Sequence, residues 1–132
     1  MIYNPNKLLT ISSTLLLINS LYGFKINNNK LYRIDSISSF ASIIYWLDPT
    51  NIYKRNLDIL LANYCFTKFF IYGLTNIEKS KCEGFLWCNL VNILYNFTIS
   101  CILFKYKFKK WYYFHFIFHL SSIAQKFIVY HI

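Results

Sequence analysis

Two histidines in the aromatic segment HFIFH, His115 and His119, are the residues best placed to do chemistry in this sequence. Positions four apart lie one turn apart on the same face of a helix, so both imidazoles would project in one direction. HExxH helices present two zinc ligands with this spacing. A zinc site needs at least three protein ligands, and His131 would lie ~18 Å from His119 along the same helix. A third ligand must therefore come from another segment.

The candidate third ligands are two carboxylates, Asp58 and Asp48. Carboxylate oxygen is a normal zinc ligand, so a site formed by both histidines and Asp58 is chemically reasonable. A second interpretation stays open, in which the histidines are neutral and hydrogen-bond to Ser or Asn on a neighbouring helix. In that case Asp58 would pair with Lys54 or Arg55. If these helices lie in a membrane, the cost of ionisable groups there makes a functional role the default hypothesis.

The elements that must position these residues are apolar segments between clusters of charge. The 132-residue chain is 56% hydrophobic and only 14% charged, against ~25% in ordinary soluble domains. A soluble domain of this size could not bury so much apolar surface, so much of it must face lipid. The pattern predicts an all-α fold: a polytopic transmembrane helix bundle, one domain over residues 1–132, in a multi-pass integral membrane protein. About five spans are predicted, over residues 8–24, 34–47, 57–77, 84–104 and 111–131.

Charge and cysteine usage exclude two other classes of protein. The net charge is +9, but the lysines flank the apolar segments and form no single basic face, so nucleic acid is not an expected partner. The four cysteines have neither CxxC nor zinc-ribbon spacing, so neither a disulfide framework nor a cysteine metal site is expected. Asp35, at the start of the second segment, is expected near the lipid headgroups.

Polar residues recur at helical spacing in four of the five segments, which predicts one polar face on each helix. Small and polar residues pack and hydrogen-bond across helix interfaces in membranes. The rows therefore predict a bundle with a partly polar interior. They are Asp35, Ser38, Ser42 and Trp46 in the second segment; Asp58, Ala62, Cys65, Tyr72 and Asn76 in the third; Asn89, Asn92, Asn96 and Ser100 in the fourth; and His115, His119, Ser122 and Lys126 in the fifth.

The order of the spans brings distant residues to a common depth. If all five segments cross the membrane, the end of the second and the starts of the third and fifth share one membrane face. We therefore expect Ser42 and Trp46, Asp58, and the pair His115 and His119 to meet there.

These residues also resemble a known set of motifs. Ser-x-x-x-Trp from Ser42 to Trp46, the segment RNLD ending at Asp58, and the His-x-x-x-His pair resemble the superfamily of alkaline ceramidases, progestin and adiponectin receptors and haemolysin III proteins. In that seven-helix family three histidines bind zinc, and an Asp and a Ser position the water that attacks an amide or ester of a lipid.

The resemblance implies roles for individual residues. It assigns His115, His119 and Asp58 to a zinc ion, and Asp58 and Ser42 to catalysis. Two departures stand out. Trp46 occupies the position of the first histidine ligand, and an indole N–H cannot bind a metal. The chain also has five predicted spans instead of seven.

Two functions therefore remain open from the sequence. The first is a zinc-dependent hydrolase acting on a lipid substrate, either active or degenerate because of Trp46. The alternative is a non-catalytic accessory or structural subunit that packs against membrane-protein partners in a membrane complex or a virion. A channel, with the polar rows as its pathway, has less support. The sequence does not decide whether the protein is an enzyme.

Overall fold

Five α-helices make up almost all of the structure. The computed structural model describes residues 5–26, 30–79 and 81–132, and no β-strand occurs among them. The predicted all-α fold is confirmed. The helices are α1 (Pro5–Ile26), α2 (Tyr32–Leu47), α3 (Ile52–Asn76), α4 (Glu83–Lys105) and α5 (Trp111–Tyr130), with one 3₁₀ turn (Ile77–Lys79) after α3.

Three of the five helices, α1, α3 and α4, are long and apolar enough to cross a membrane. The 16 residues of α2 fall short of the ~20 that a spanning helix needs. The apolar run of α5 is interrupted by two histidines, Gln125 and Lys126. Length and composition therefore support three spans, and the predicted five-span bundle is not confirmed.

The helix ends follow local hydrogen bonding more than the limits of the apolar runs. Helix α3 begins at Ile52, earlier than the predicted Leu57, because the Asn51 side chain accepts hydrogen bonds from the backbone N–H groups of Tyr53 (3.0 Å) and Lys54 (3.2 Å). Such an N-cap stabilises a helix by ~1 kcal/mol. At the end of α4, Lys107 adopts a left-handed conformation (φ 54°), which closes the last turn.

Consecutive helices run antiparallel, and α1, α2 and α5 form the centre of the bundle. Antiparallel packing of α1 against α2 is fixed by two serine pairs: Ser13 and Ser42, whose Oγ atoms are 3.0 Å apart, and Ser36, which donates to Ser20 (2.9 Å). Helix α5 packs against α4 and α1, contacts α3 to a smaller extent, and is joined to α2 by the ion pair between Lys126 and Asp35. Helix α3 packs mainly on α2, and α4 packs on α5, so α3 and α4 flank the centre on separate sides.

The polar rows of α2 and α4 form much of the interior, whereas only Cys65 of the α3 row and His119 of the α5 row are buried and Ala62 is exposed. All four residues of the α2 row are buried, and so are Asn89, Asn96 and Ser100 of the α4 row. Asn92 is exposed, although its amide donates to Ser121 Oγ (2.7 Å). Helix α1 has an interior face that the rows did not include, formed by Leu9, Ser12, Ser13, Leu16, Asn19, Ser20 and Gly23.

Asp35 lies at the start of α2, as expected, but it is completely buried. Its carboxylate accepts hydrogen bonds from the Lys126 ammonium (2.5 Å) and from the Tyr130 hydroxyl (2.5 Å), both on α5. The Cys65 thiol of α3 lies 3.9 Å from the same carboxylate. We call these four residues the ion-pair cluster. A buried carboxylate is tolerated here because it is paired and hydrogen-bonded.

Candidate functional site

A cavity of about 330 Å³ separates α3 from α4. We call it the groove. Its walls are apolar and come from the facing sides of α3 and α4, and its floor is formed by α2 and α5. The floor and the α3 wall near it carry the polar residues Ser38, Ser39, Ser42, Asp58, His115, His119, Ser122, Gln125 and Lys126.

The structure places all four residues assigned by the resemblance on this one cavity: Ser42, Asp58, His115 and His119. Ser42 lies near the end of α2, Asp58 in the second turn of α3, and the histidines in the first half of α5. Antiparallel packing brings these helix ends together. Trp46, which the resemblance aligns with the first histidine ligand, packs beside them, with its ring centre 5.6 Å from that of His115.

Each histidine is hydrogen-bonded to a serine of a neighbouring helix. His119 Nδ1 lies 2.7 Å from Ser12 Oγ of α1, and His115 Nδ1 lies 3.4 Å from Ser100 Oγ of α4. The imidazole centres are 4.8 Å apart. These contacts agree with the interpretation of neutral histidines that join helices. They also occupy Nδ1 of both rings and leave Nε2 available for a ligand. Metal-bound histidines hydrogen-bond through their second ring nitrogen in the same way.

The Asp58 carboxylate is only partly satisfied. It interacts with the Ser42 hydroxyl, but its Oδ1 is buried and has no hydrogen-bond partner among the described residues. The alternative pairing with Lys54 is not observed, because the Lys54 ammonium lies 3.0 Å from Asp48. Asp48, the other candidate ligand, is thereby engaged in the α2–α3 loop. A buried acceptor without a partner costs stability, so it indicates a place where a ligand could donate.

The donor chemistry of the groove suits zinc, but its geometry does not assemble a zinc site. Over the part of the chain that the structure describes, no group of three His, Cys, Asp or Glu side chains lies close enough together to hold a metal ion. The two imidazoles and the Asp58 carboxylate share a cavity without converging on one point. Zinc binding stays a prediction from the resemblance.

Two further buried polar atoms lack a partner in the part of the chain that the structure describes, one near this end of the bundle and one at the middle of α2. Besides Asp58 Oδ1, the hydroxyl of Ser39 and the indole nitrogen of Trp46 are buried without a partner among the described residues. Ser39 and Asp58 both line the groove. The unsatisfied Oδ1 of Asp58 and hydroxyl of Ser39 are two polar atoms of the groove with hydrogen-bonding capacity that the described residues do not use.

The sequence-based reasoning missed two contributors to the site. Ser12, which holds His119, lies on the unrecognised interior face of α1, although the serines of ISSTLLLINS recur at positions compatible with one face. Lys126 was placed in the α5 row, but its pairing with Asp35 was not foreseen. Lys126 contributes to the polar floor of the groove, and its charge is neutralised by the Asp35 carboxylate.

Comparisons with known proteins add no assignment. No family model matches the chain, and no curated protein or solved structure has a significant match to it.

Proposed function

We propose that this chain is a multi-pass membrane protein that takes a lipid acyl chain into the groove between α3 and α4. The lipid's ester or amide would then lie against the polar floor. The observation that carries the proposal is the pairing of apolar walls with an unsatisfied polar floor in one cavity. A volume of about 330 Å³ lies at the lower end of the ~300–1,000 Å³ typical of small-molecule sites.

The position of the groove supports a lipid as its occupant. Both walls belong to helices that are long and apolar enough to span a membrane. A chain that entered between α3 and α4 would come directly from the hydrocarbon region, without crossing water. Phe66, Phe70, Leu94 and Phe97 are among the wall residues that would contact its methylene groups.

Photocrosslinking tests the groove as the binding site. A phospholipid with a diazirine in its acyl chain is incorporated into nanodiscs with the purified protein, and the labelled residues are mapped by mass spectrometry. We expect labelling of the facing sides of α3 and α4. Ala62→Trp fills the groove and should reduce labelling severalfold, whereas Leu60→Trp, on an exposed face of the same helix, should not. Equal labelling in both variants would contradict the proposal.

Lipid hydrolysis is the stronger form of the proposal. Its support is that Ser42, Asp58, His115 and His119 line one cavity, with a serine bonded to each imidazole. Zinc content of the purified protein, together with fatty-acid release from ester and amide lipids, tests it. Asp58→Asn should abolish release, and His131→Ala, a histidine at the end of α5 outside the groove, should not. If the purified protein contained no stoichiometric zinc and Asp58→Asn released fatty acid at the wild-type rate, the hydrolase hypothesis would be wrong.

A second candidate function is that of a non-catalytic accessory subunit. The observation that favours it is the use of both histidines as helix-joining hydrogen-bond partners, with no third ligand assembled beside them. In this case the protein should co-purify with a fixed partner in constant ratio. It should release no fatty acid from any lipid tested, and His115→Gln should leave the complex intact.

A further inference from the structure

Helix α3 has one cation on its outer face, Lys68, at the middle of its apolar run. The predicted span from Leu57 to Ile77 places Lys68 eleven residues from one end and nine from the other. The residue is exposed and does not line the groove. Helix α3 is also the least buried of the three candidate spans. Its outer face would meet lipid or another protein.

The direction of the side chain keeps this charge near the middle of the helix. A helical side chain leans towards the helix N-terminus, and the Lys68 ammonium accordingly lies 5.4 Å from the centre of the Tyr64 ring, one turn earlier. Lysines near helix ends reach the headgroups by extending along the helix. The Lys68 side chain extends away from Ile77, the nearer end of the predicted span. Its ammonium therefore does not reach the headgroups at that end.

None of the five acidic side chains of this chain is available as its counter-ion. Asp35 is buried against Lys126, and Asp48 pairs with Lys54. Asp58 lines the groove with one oxygen buried. Glu78 follows α3, and Glu83 begins α4, so both lie at helix ends. A second copy of the chain would bring the same set, with no carboxylate exposed at mid-span.

We propose that the outer face of α3 around Lys68 binds a transmembrane helix of a different protein, one that carries Asp or Glu near its middle. An ionisable group at mid-membrane is costly unless it is paired, and charge complementarity selects an acidic helix. Three polar residues near Lys68 add hydrogen-bonding capacity to this part of the helix. Tyr64 lies one turn before Lys68, Thr67 is its neighbour in sequence, Thr75 lies two turns after it, and all three are exposed. The inference rests on α3 crossing the bilayer, but not on lipid binding or hydrolysis.

Synthetic transmembrane peptides test the proposal without knowledge of the partner. The full-length protein, labelled with a donor fluorophore, is reconstituted in phosphatidylcholine vesicles with acceptor-labelled polyleucine peptides that carry Glu, Lys or Leu at the centre. We expect the Glu peptide to bind about tenfold more tightly than the Leu peptide, in the range of polar helix contacts in membranes. Lys68→Leu should abolish the preference, and Lys68→Glu should transfer it to the Lys peptide.

Controls separate this inference from the membrane placement on which it rests. Lys105→Leu, at the end of α4, should leave the preference for the Glu peptide unchanged. If alkaline carbonate releases the protein from vesicles, the membrane placement itself fails. If the protein stays embedded and binds the three peptides equally, only the acidic-partner inference is overturned. Energy transfer between two labelled copies that disappears in Lys68→Leu would overturn the choice of a different protein as partner.

Discussion

The two ends of the α2–α5 pair treat their polar residues in opposite ways. At one end Asp35 is buried, and both of its oxygens accept strong hydrogen bonds from α5. Towards the other end Trp46 and Asp58, and at the middle of α2 Ser39, each bury a polar atom that has no hydrogen-bond partner among the described residues, and Ser39 and Asp58 line the groove. Full satisfaction is typical of structural groups, and unsatisfied groups need a further explanation. The comparison indicates that the ion-pair cluster stabilises the fold, and it is the reason that we propose the groove as the binding site.

The largest expected effect is loss of the Asp35 carboxylate. Asp35→Ala leaves the Lys126 ammonium buried without its counter-ion, and breaking such a pair costs about 3–5 kcal/mol. We expect a large fall in the unfolding midpoint, measured by thermal or SDS-induced unfolding in detergent. The double variant Asp35→Leu with Lys126→Leu should recover part of that loss, because neither charge is then left alone. A stability equal to wild type in Asp35→Ala would remove the structural half of the comparison.

A smaller effect is expected at the contact between α1 and the ion-pair cluster. A Cβ added at Gly23 would lie 2.5 Å from the ring of Tyr130, whose hydroxyl donates to Asp35. Gly23→Ala should therefore destabilise the protein by about 1–3 kcal/mol, the usual cost of overpacking. Gly84→Ala is the matched control, since nothing lies within 4 Å of its added Cβ. It should be neutral or slightly stabilising, because Ala favours the helix.

The stability of the protein should depend much less on the charge at the groove than on that of Asp35. Asp58→Asn keeps the shape of the side chain, and no ion pair is lost, so the unfolding midpoint should change little. A change within about 1 kcal/mol is expected, since only a modest hydrogen bond is weakened. Acyl-chain release should disappear, as measured in the hydrolysis assay. A loss of stability comparable to that of Asp35→Ala would mean that the two ends are alike, and the contrast would fail.

Much of this arrangement follows from the sequence. The apolar runs predict the five helices, and all four residues of the polar row of α2 are buried, although the row does not include the buried Ser39 and Ala41. The ion-pair cluster was harder to foresee because the solvation cost of a single carboxylate places Asp35 at the headgroups. Its partner is found only when two rows are aligned. Asp35 to Trp46 and His115 to Lys126 both span eleven positions, so antiparallel packing that joins Trp46 to His115 also joins Asp35 to Lys126.

The groove could not be predicted in the same way. It exists because α3 packs mainly on α2 and α4 packs on α5, a choice set by the shapes of many side chains together. The HxxxH spacing shows that two imidazoles share a face, but not what lies opposite them. The Ser12–His119 hydrogen bond likewise depends on the rotation of α1 about its own axis, which apolar content alone does not determine.

The smallest expected effect is at an exposed ion pair, which provides a reference for the buried one. Lys54 hydrogen-bonds to Asp48 in the α2–α3 loop and thereby lowers the pKa of that carboxyl below its ordinary value. A lowered folded-state pKa means that the pair stabilises the protein above the unfolded pKa of ~3.9, and that this contribution is lost as the pH falls through the folded-state value. Lys54→Ala should thus lower the unfolding midpoint slightly at pH 7, and 0.5 M salt should have much the same effect on wild type because it screens exposed charges.

The same salt should leave the difference in unfolding midpoint between wild type and Asp35→Ala nearly unchanged, since buried pairs are screened much less. If salt erased that difference, Asp35 and Lys126 would have to be accessible to water, and the contrast between the buried and the exposed ion pair would fail.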